Sequence, residues 1–158
     1  MADIVENASL ELKNVFSYRG KVTQQQLMII TKEMNDIITA NNAKKTMPGV
    51  SATFGIISEG SEPLMDMEIM FPLDKEIDVP DPYTFKPLFR LRNAVKIRHV
   101  GNPALIQESG NQLMKFIDEN GLMPVTAGYN VTIQEPRTPS NIDDLIIDLY
   151  IGVSDNIL

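Results

Sequence analysis

The sequence predicts an α+β fold made of two copies of a strand–helix–strand–strand module. Three observations support this prediction. Two segments have the apolar spacing of amphipathic helices, the segments around them match in order, and each copy ends in an apolar strand with one acid in its middle. Gly20 precedes Glu68 by 48 residues, and Gly101 precedes Asp148 by 47. We therefore expect an internal duplication that covers about residues 10–74 and 84–154.

The first helix is predicted over residues 23–42, after a strand that the alternating Leu10 and Leu12 extend toward the N-terminus. Thr23 and Gln26 have the spacing of a capping box, in which each side chain accepts a hydrogen bond from the other residue's backbone amide. The predicted buried stripe follows helical spacing. It consists of Leu27, Ile30, Met34, Ile37 and Ile38.

The second helix is predicted over residues 102–121. Asn102 is the expected N-cap, Pro103 occupies the first helical position, and Gly121 ends the helix. Gly110 falls inside the helix, where glycine costs about 1 kcal/mol relative to alanine, so we expect close packing there. The apolar stripe consists of Leu105, Ile106, Leu113, Phe116 and Ile117.

Between the copies, the segment LDKEIDVPDPYTFKP contains three prolines and four acidic residues. This composition is typical of a loop, because proline and aspartate favour turns. Residues 75–83 are therefore predicted to be a solvated connector.

The alternation of side chains along a strand assigns faces to the strands. Apolar faces are expected against the helices. The predicted apolar faces are Met67, Ile69, Phe71 and Leu73; Leu145, Ile147, Leu149, Ile151 and Val153; Val50, Ala52, Phe54 and Ile56; and Val125, Ala127, Tyr129, Val131 and Ile133. We thus expect one curved antiparallel sheet with two helices on one face and a cleft on the other, into which Glu68 and Asp148 project from outside the core.

The cleft is the predicted ligand site, and its candidate residues share the face of the two acids. They are Asp148, Glu68, Tyr150, Asn130 and Met70. A second interpretation of the acids is structural, because four basic residues share one face of the strand that opens the second copy and can pair with acids across strands. These are Arg90, Arg92, Lys96 and Arg98. The sequence leaves both interpretations open.

The single histidine, His99, falls on the core side of its strand with Val95 and Ile97. A hydrogen-bonded structural histidine is the preferred interpretation, since no G-x-S-x-G elbow accompanies it. Catalysis by Glu68 and Asp148 as an acid/base pair would require one carboxyl with a raised pKa in an apolar, water-excluding pocket.

Composition excludes several classes of function. Cysteine is absent and histidine occurs once, so thiolate and histidine-rich metal sites are excluded, and no metal or cofactor is expected. The net charge of −7 argues against binding nucleic acid through a positive field. No apolar run is long enough to span a bilayer, and the N-terminus lacks the features of a secretory signal. A cytoplasmic protein without a membrane partner is expected.

Three segments resemble the GyrI-like domains, the effector-binding domains of multidrug-responsive transcription regulators. HVG at residues 99–101 leads into the second helix, ENGLMPV forms the passage from helix to strand, and IDLYIGV is similar to the terminal strand of that family. The resemblance covers roughly residues 12–153. It depends on the order and spacing of these segments more than on any one of them.

The resemblance implies a cleft between the two halves that binds small, often cationic and aromatic ligands, with the acid that matches Asp148 as counter-ion. Three features depart from the family pattern: Asp148 stands for a glutamate, Ile147 for a threonine and Gly152 for a proline. Tryptophan is absent, so Tyr150 is the one well-placed ring for a cation.

The expected function is therefore that of a stand-alone, non-enzymatic module that binds a small amphipathic molecule, cationic ones included. Because the residues before the first strand are too few for a helix-turn-helix domain, DNA binding is not expected. The first alternative is a protein-interaction module that uses the same groove or a sheet edge, for a partner chain or a homodimer. A small hydrolase is the third.

Overall fold

A computed structural model describes residues 3–58 and 60–154. These residues form two compact units. The N unit comprises residues 12–89. The C unit comprises residues 3–11 and 90–154 among those described.

The N unit contains a three-stranded antiparallel sheet and one helix. Its elements are β1 (Ile4–Val22), α1 (Gln24–Ala40), β2 (Gly49–Ile57) and β3 (Leu64–Pro72). Strand β3 lies in the middle, because it pairs with β1 on one side and β2 on the other. The first residues of β1 belong to the C unit, so the strand is longer than one repeat requires and extends toward the N-terminus as predicted.

The C unit repeats this order. Its elements are β4 (Thr84–Val100), α2 (Ile106–Glu119), β5 (Met123–Gln134) and β6 (Ile146–Ser154), with residues 84–89 of β4 assigned to the N unit. Strand β6 pairs with β4 and β5, as β3 pairs with β1 and β2. The α+β class and the duplicated strand–helix–strand–strand order are therefore confirmed.

Helix α1 begins with the predicted cap, whereas the predicted cap of α2 begins a 3-10 turn before that helix. Thr23 and Gln26 exchange the two hydrogen bonds of a capping box. The side chain of Asn102 accepts the amide hydrogen of Ala104, but Pro103–Leu105 forms a 3-10 turn, so α2 proper begins four residues after Asn102. Gly121 follows α2 with a φ of 66°, a conformation that glycine adopts without a Cβ penalty.

The core under α1 also contains part of the segment between the repeats. Met34 and Ile38 of α1 pack with Ile69 and Phe71 of β3, as predicted from their spacing. Ile77 and Tyr83 are buried in the same core, together with Val79, which packs against it, and the ring of Tyr83 lies 5.2 Å from that of Phe16. The segment 75–83 is therefore solvated only in part, because Ile77 and Tyr83 are buried while its acids are exposed.

The core under α2 confirms the predicted face of the last strand. Leu149, Ile151 and Val153 of β6 pack with Leu113 and Ile117 of α2. A Cβ added at Gly110 would lie 3.5 Å from Cδ2 of Leu149, an ordinary contact. Thus α2 packs on β6 at Gly110, but the space there does not require a glycine.

The predicted face of β2 is wrong for Val50 and Ala52, but it holds for Ile56, which lies opposite Met65 on the helix-facing side of β3. Residues directly opposite one another in an antiparallel pair share a face, and Val50 lies opposite Met70 while Ala52 lies opposite Glu68. They therefore lie on the face of β3 that carries the acid. A bulge between Thr53 and Gly55 then shifts the register.

The predicted face of β5 is wrong in the same way. Tyr129 lies opposite Tyr150 and Val131 opposite Asp148, so both share the face of the acid. Asn130 lies opposite Leu149 and shares the helix-facing side instead. Parity failed here because β3 and β6 are buried on both faces, so an apolar side chain does not identify the side that a helix covers.

Two further features concern the described residues. None of the helices described has the length and apolar character needed to cross a membrane. No group of three or more acidic or histidine side chains is arranged to hold a metal ion within residues 3–58 and 60–154.

Candidate functional site

The two strand acids are buried, contrary to the prediction that they lie outside the core. Glu68 is 6% exposed and Asp148 is 2% exposed. A buried carboxylate loses its hydration and requires charged or hydrogen-bonding partners. Each acid has such partners within its own unit.

Glu68 pairs with Lys86 in the N unit. The ammonium of Lys86 donates to Oε2 of Glu68, and the hydroxyl of Ser17 donates to the same oxygen at 3.4 Å. Met70 lies on this face opposite Ser17 and is fully buried. A ligand cation at Glu68 would therefore have to displace Lys86.

Asp148 pairs with two basic residues of β4 in the C unit. Arg98 stands directly opposite Asp148 and donates from Nε at 2.8 Å and from one Nη at 3.0 Å, one to each carboxylate oxygen. Nζ of Lys96 lies 3.6 Å from the carboxylate. These hydrogen bonds raise the pKa of Arg98, so its guanidinium stays charged. The sequence left two interpretations of Asp148 open. In the structure, Asp148 pairs with Lys96 and Arg98.

Tyr150 lies on the same face as Asp148, opposite Lys96, whose Nζ is 5.7 Å from the ring centre. Burial, reinforced by the nearby charge of Asp148, raises the pKa of the Tyr150 hydroxyl. Asn130 is on the helix-facing side, where its buried Oδ1 has no hydrogen-bond partner among the described residues. Of the five predicted residues, Glu68 and Met70 thus share one face of β3, and Asp148 and Tyr150 share one face of β6. Asn130 lies on the other side of its sheet.

The C unit contains a cavity of about 650 Å³ at the end of β4 that leads into α2, a volume in the usual range of ligand sites. Lys96 and Arg98 line it together with apolar and polar groups. The other lining residues are Asp3, Val5, His99, Val100, Leu105, Glu108, Ser109 and Gln112. The apolar ones are exposed, by 45% for Val5, 60% for Val100 and 47% for Leu105. This combination of apolar surface and basic side chains suits an amphipathic molecule.

His99 lies on the core side of β4, as predicted, and both ring nitrogens have partners. Nε2 lies 2.8 Å from the backbone oxygen of Asn102 and Nδ1 lies 3.0 Å from Oγ of Ser109. Because a carbonyl oxygen only accepts, Nε2 carries the proton in the neutral ring, and Nδ1 accepts from Ser109. His99 thereby ties the end of β4 to the start of α2.

Sequence reasoning missed the cavity, since none of the five predicted site residues lines it, and it singled out neither Ser109 nor Gln112. A signal for Ser109 was present, since Ser109, Leu113 and Ile117 follow one another at helical spacing and all three are buried. A serine in line with an apolar stripe indicates a hydrogen-bonding partner beneath the helix.

A second depression, of about 480 Å³, lies along the outer side of α1. Met28, which lines it, is 66% exposed, and the adjacent Ile29 is 60% exposed. This apolar surface is on a helix, whereas the predicted interaction surface was the groove or a sheet edge.

No family model and no curated protein matches the chain. Solved structures do match. The C-terminal domain of EcmrR superposes with a TM-score of 0.71 at 17% identity, over 99% of this chain and 98% of that domain. A hydrolase from Listeria innocua matches with a TM-score of 0.51 at 15% identity, over 97% of this chain and 91% of that one. At these identities the likeness establishes the fold alone.

The EcmrR chain in the cryo-EM structure of its DNA complex also matches, with a TM-score of 0.76 at 17% identity. The match covers 99% of this chain but 58% of the EcmrR chain. This chain therefore spans little more than half the length of that protein and corresponds in fold to its C-terminal domain.

Proposed function

We propose that this chain binds a small amphipathic molecule in the cavity of the C unit. The observation that supports the proposal most is the composition of the cavity, in which exposed valine and leucine side chains lie beside Lys96 and Arg98. Removing apolar ligand surface from water supplies about 25 cal/mol per Å², and polar contacts fix the orientation. The resemblance to effector-binding domains and the shared fold are consistent with this role.

The polar group of the ligand is expected to be a hydrogen-bond acceptor, such as a carboxylate, beside Arg98. Arg98 has five N–H groups and uses two for Asp148, and its side chain is 51% exposed. Asp3 and Glu108 also line the cavity, so selectivity depends on contact with the guanidinium rather than on a general positive field.

Asp148 then acts through its partners. Its side chain is 3% exposed and does not line the cavity, but its two hydrogen bonds hold the Arg98 guanidinium in place. Ligand charge is therefore the feature that separates this proposal from a counter-ion role for Asp148, which would favour a cationic ligand.

Three probes with the same chain length and different heads test the proposal: decanoate, decanol and decyltrimethylammonium. We expect calorimetric titration to give the tightest binding for decanoate. Arg98→Met is expected to weaken decanoate binding at least tenfold, because a charge-assisted hydrogen bond contributes about 1.5–3 kcal/mol. The matched control is Lys115→Met on α2, where the lysine is 75% exposed and does not line the cavity.

Tightest binding of decyltrimethylammonium, abolished by Asp148→Asn, would favour the counter-ion interpretation instead. If all three probes bound equally tightly to Arg98→Met and to its matched control, the basic side chains would have no role in binding.

A further inference from the structure

We infer that the same cavity hydrolyses carboxylic esters, with Ser109 as nucleophile and His99 as general base. This inference rests on the proposed binding function and extends it. It departs from the expectation that His99 is structural and that the module is not an enzyme. The substrate class is an ester with an apolar acyl chain, and its product is the carboxylate that the cavity is proposed to bind.

The hydrogen bond between Ser109 and His99 has the direction that base catalysis requires. Oγ of Ser109 lies 3.0 Å from Nδ1 of His99, within the range for a nucleophile and its base. The backbone oxygen of Asn102, 2.8 Å from Nε2, fixes the proton on Nε2 and leaves the lone pair of Nδ1 toward the serine. The carbonyl thus orients the ring as the aspartate does in a Ser-His-Asp triad.

Both side chains line the cavity although they are largely buried, at 8% exposure for Ser109 and 7% for His99. Apolar side chains at Val5, Val100 and Leu105 provide a surface for the acyl chain. The reacting groups and the apolar wall therefore belong to one space.

A donor for the developing oxyanion is present in the same lining. Gln112 follows Ser109 by three residues on α2, and residues at this spacing lie on one side of a helix. Its side-chain amide is the group assigned to stabilise the oxyanion.

The reaction balances with water as the only co-reactant. Oγ of Ser109 attacks the carbonyl carbon while its proton passes to Nδ1 of His99. The tetrahedral intermediate expels the alcohol, which takes that proton, and leaves an acyl-serine. Water then attacks the acyl group and gives a proton to Nδ1, and the carboxylic acid leaves as Oγ recovers the proton.

The experiment uses p-nitrophenyl hexanoate and a fluorophosphonate probe on the full chain. The wild-type chain is expected to release p-nitrophenolate and to gain one phosphonyl adduct by intact mass, mapped to Ser109. Ser109→Ala should abolish the adduct and reduce the rate at least about 100-fold, the usual contribution of general base catalysis and its nucleophile. His99→Gln retains a donor for the Asn102 oxygen but lacks the basic nitrogen, so the same loss of rate is expected. Ser51→Ala on β2 is the matched control and should retain both signals.

Circular dichroism melts of each variant show whether it is folded. A wild-type rate equal to that of Ser109→Ala, with no adduct, would overturn the inference and leave the pair as a structural tie. Because Ser109→Ala keeps Lys96 and Arg98, its binding of decanoate separates the two proposals. Decanoate binding without hydrolysis contradicts only the catalysis, and loss of decanoate binding in the wild-type chain contradicts the proposed function.

Discussion

Replacing Arg98 by methionine should destabilise the C unit substantially, because it leaves a carboxylate buried without its main partner. Removing one member of a buried ion pair typically costs 3–5 kcal/mol. The side chain of Asp148 is 3% exposed, but Lys96 remains 3.6 Å away and compensates in part. We therefore expect a loss near the lower end, about 3 kcal/mol, which for a chain of this size lowers the melting temperature by roughly 6–12 °C.

Replacing the acid of the pair, Asp148, should cost less stability than replacing Arg98. Asp148→Asn keeps an oxygen that accepts from Arg98, and the side chains of Lys96 and Arg98 are 25% and 51% exposed, so water solvates them. A loss of about 1 kcal/mol is expected, as for one hydrogen bond. The double variant Arg98→Met/Asp148→Asn should lose less free energy of unfolding than Arg98→Met alone, because the double variant has no buried unpaired charge.

Urea denaturation followed by circular dichroism measures these free energies of unfolding. Lys32→Met is the control, since the exposed pair of Lys32 with Asp36 is expected to contribute less than about 0.5 kcal/mol. If Arg98→Met and Lys32→Met cost the same, the Arg98–Asp148 pair is a solvated surface pair and the reasoning is refuted.

Three other predictions concern stability. Lys86→Met should destabilise the chain by about 3 kcal/mol in urea denaturation, because it leaves the carboxylate of Glu68, whose side chain is 8% exposed, without its partner. Glu68→Gln should cost less, and equal losses would contradict the assigned pair. Tyr150 should ionise above the ordinary tyrosine pKa of about 10, so its contribution to stability is constant below pH 10 and falls above it, where the unfolded chain loses the proton first. Absorbance at 295 nm checks this, since Tyr150→Phe should remove a late part of the phenolate rise rather than an early one. Thr23→Ala should cost about 1 kcal/mol of unfolding free energy through loss of the capping box, and no change would mean that water replaces it.

The sequence predicted those features that local spacing determines. The capping box, the two helices and the duplicated order follow from periodicity and from turn residues near each helix. The pairing of Arg98 with Asp148 could also be predicted from the sequence. Each strand has a charged residue that identifies one of its faces, and neighbouring strands bring such residues together.

Features that depend on register and packing were not accessible in the same way. The faces of β2 and β5 were assigned wrongly because their neighbours β3 and β6 are buried on both sides, so an apolar residue such as Val131 fits either face. The burial of Ile77 depends on the packing of the connector against α1, which its acidic composition conceals. The cavity depends on where α2 and the start of β1 lie around β4, and no single segment encodes that arrangement.

A crystal structure of the chain with decanoate tests the central claim most directly. The account predicts the carboxylate within about 3.2 Å of the Arg98 guanidinium, with that guanidinium still bonded to Asp148 and the alkyl chain on Val5, Val100 and Leu105. A decanoate bound elsewhere, with the cavity of the C unit left to solvent, would contradict it.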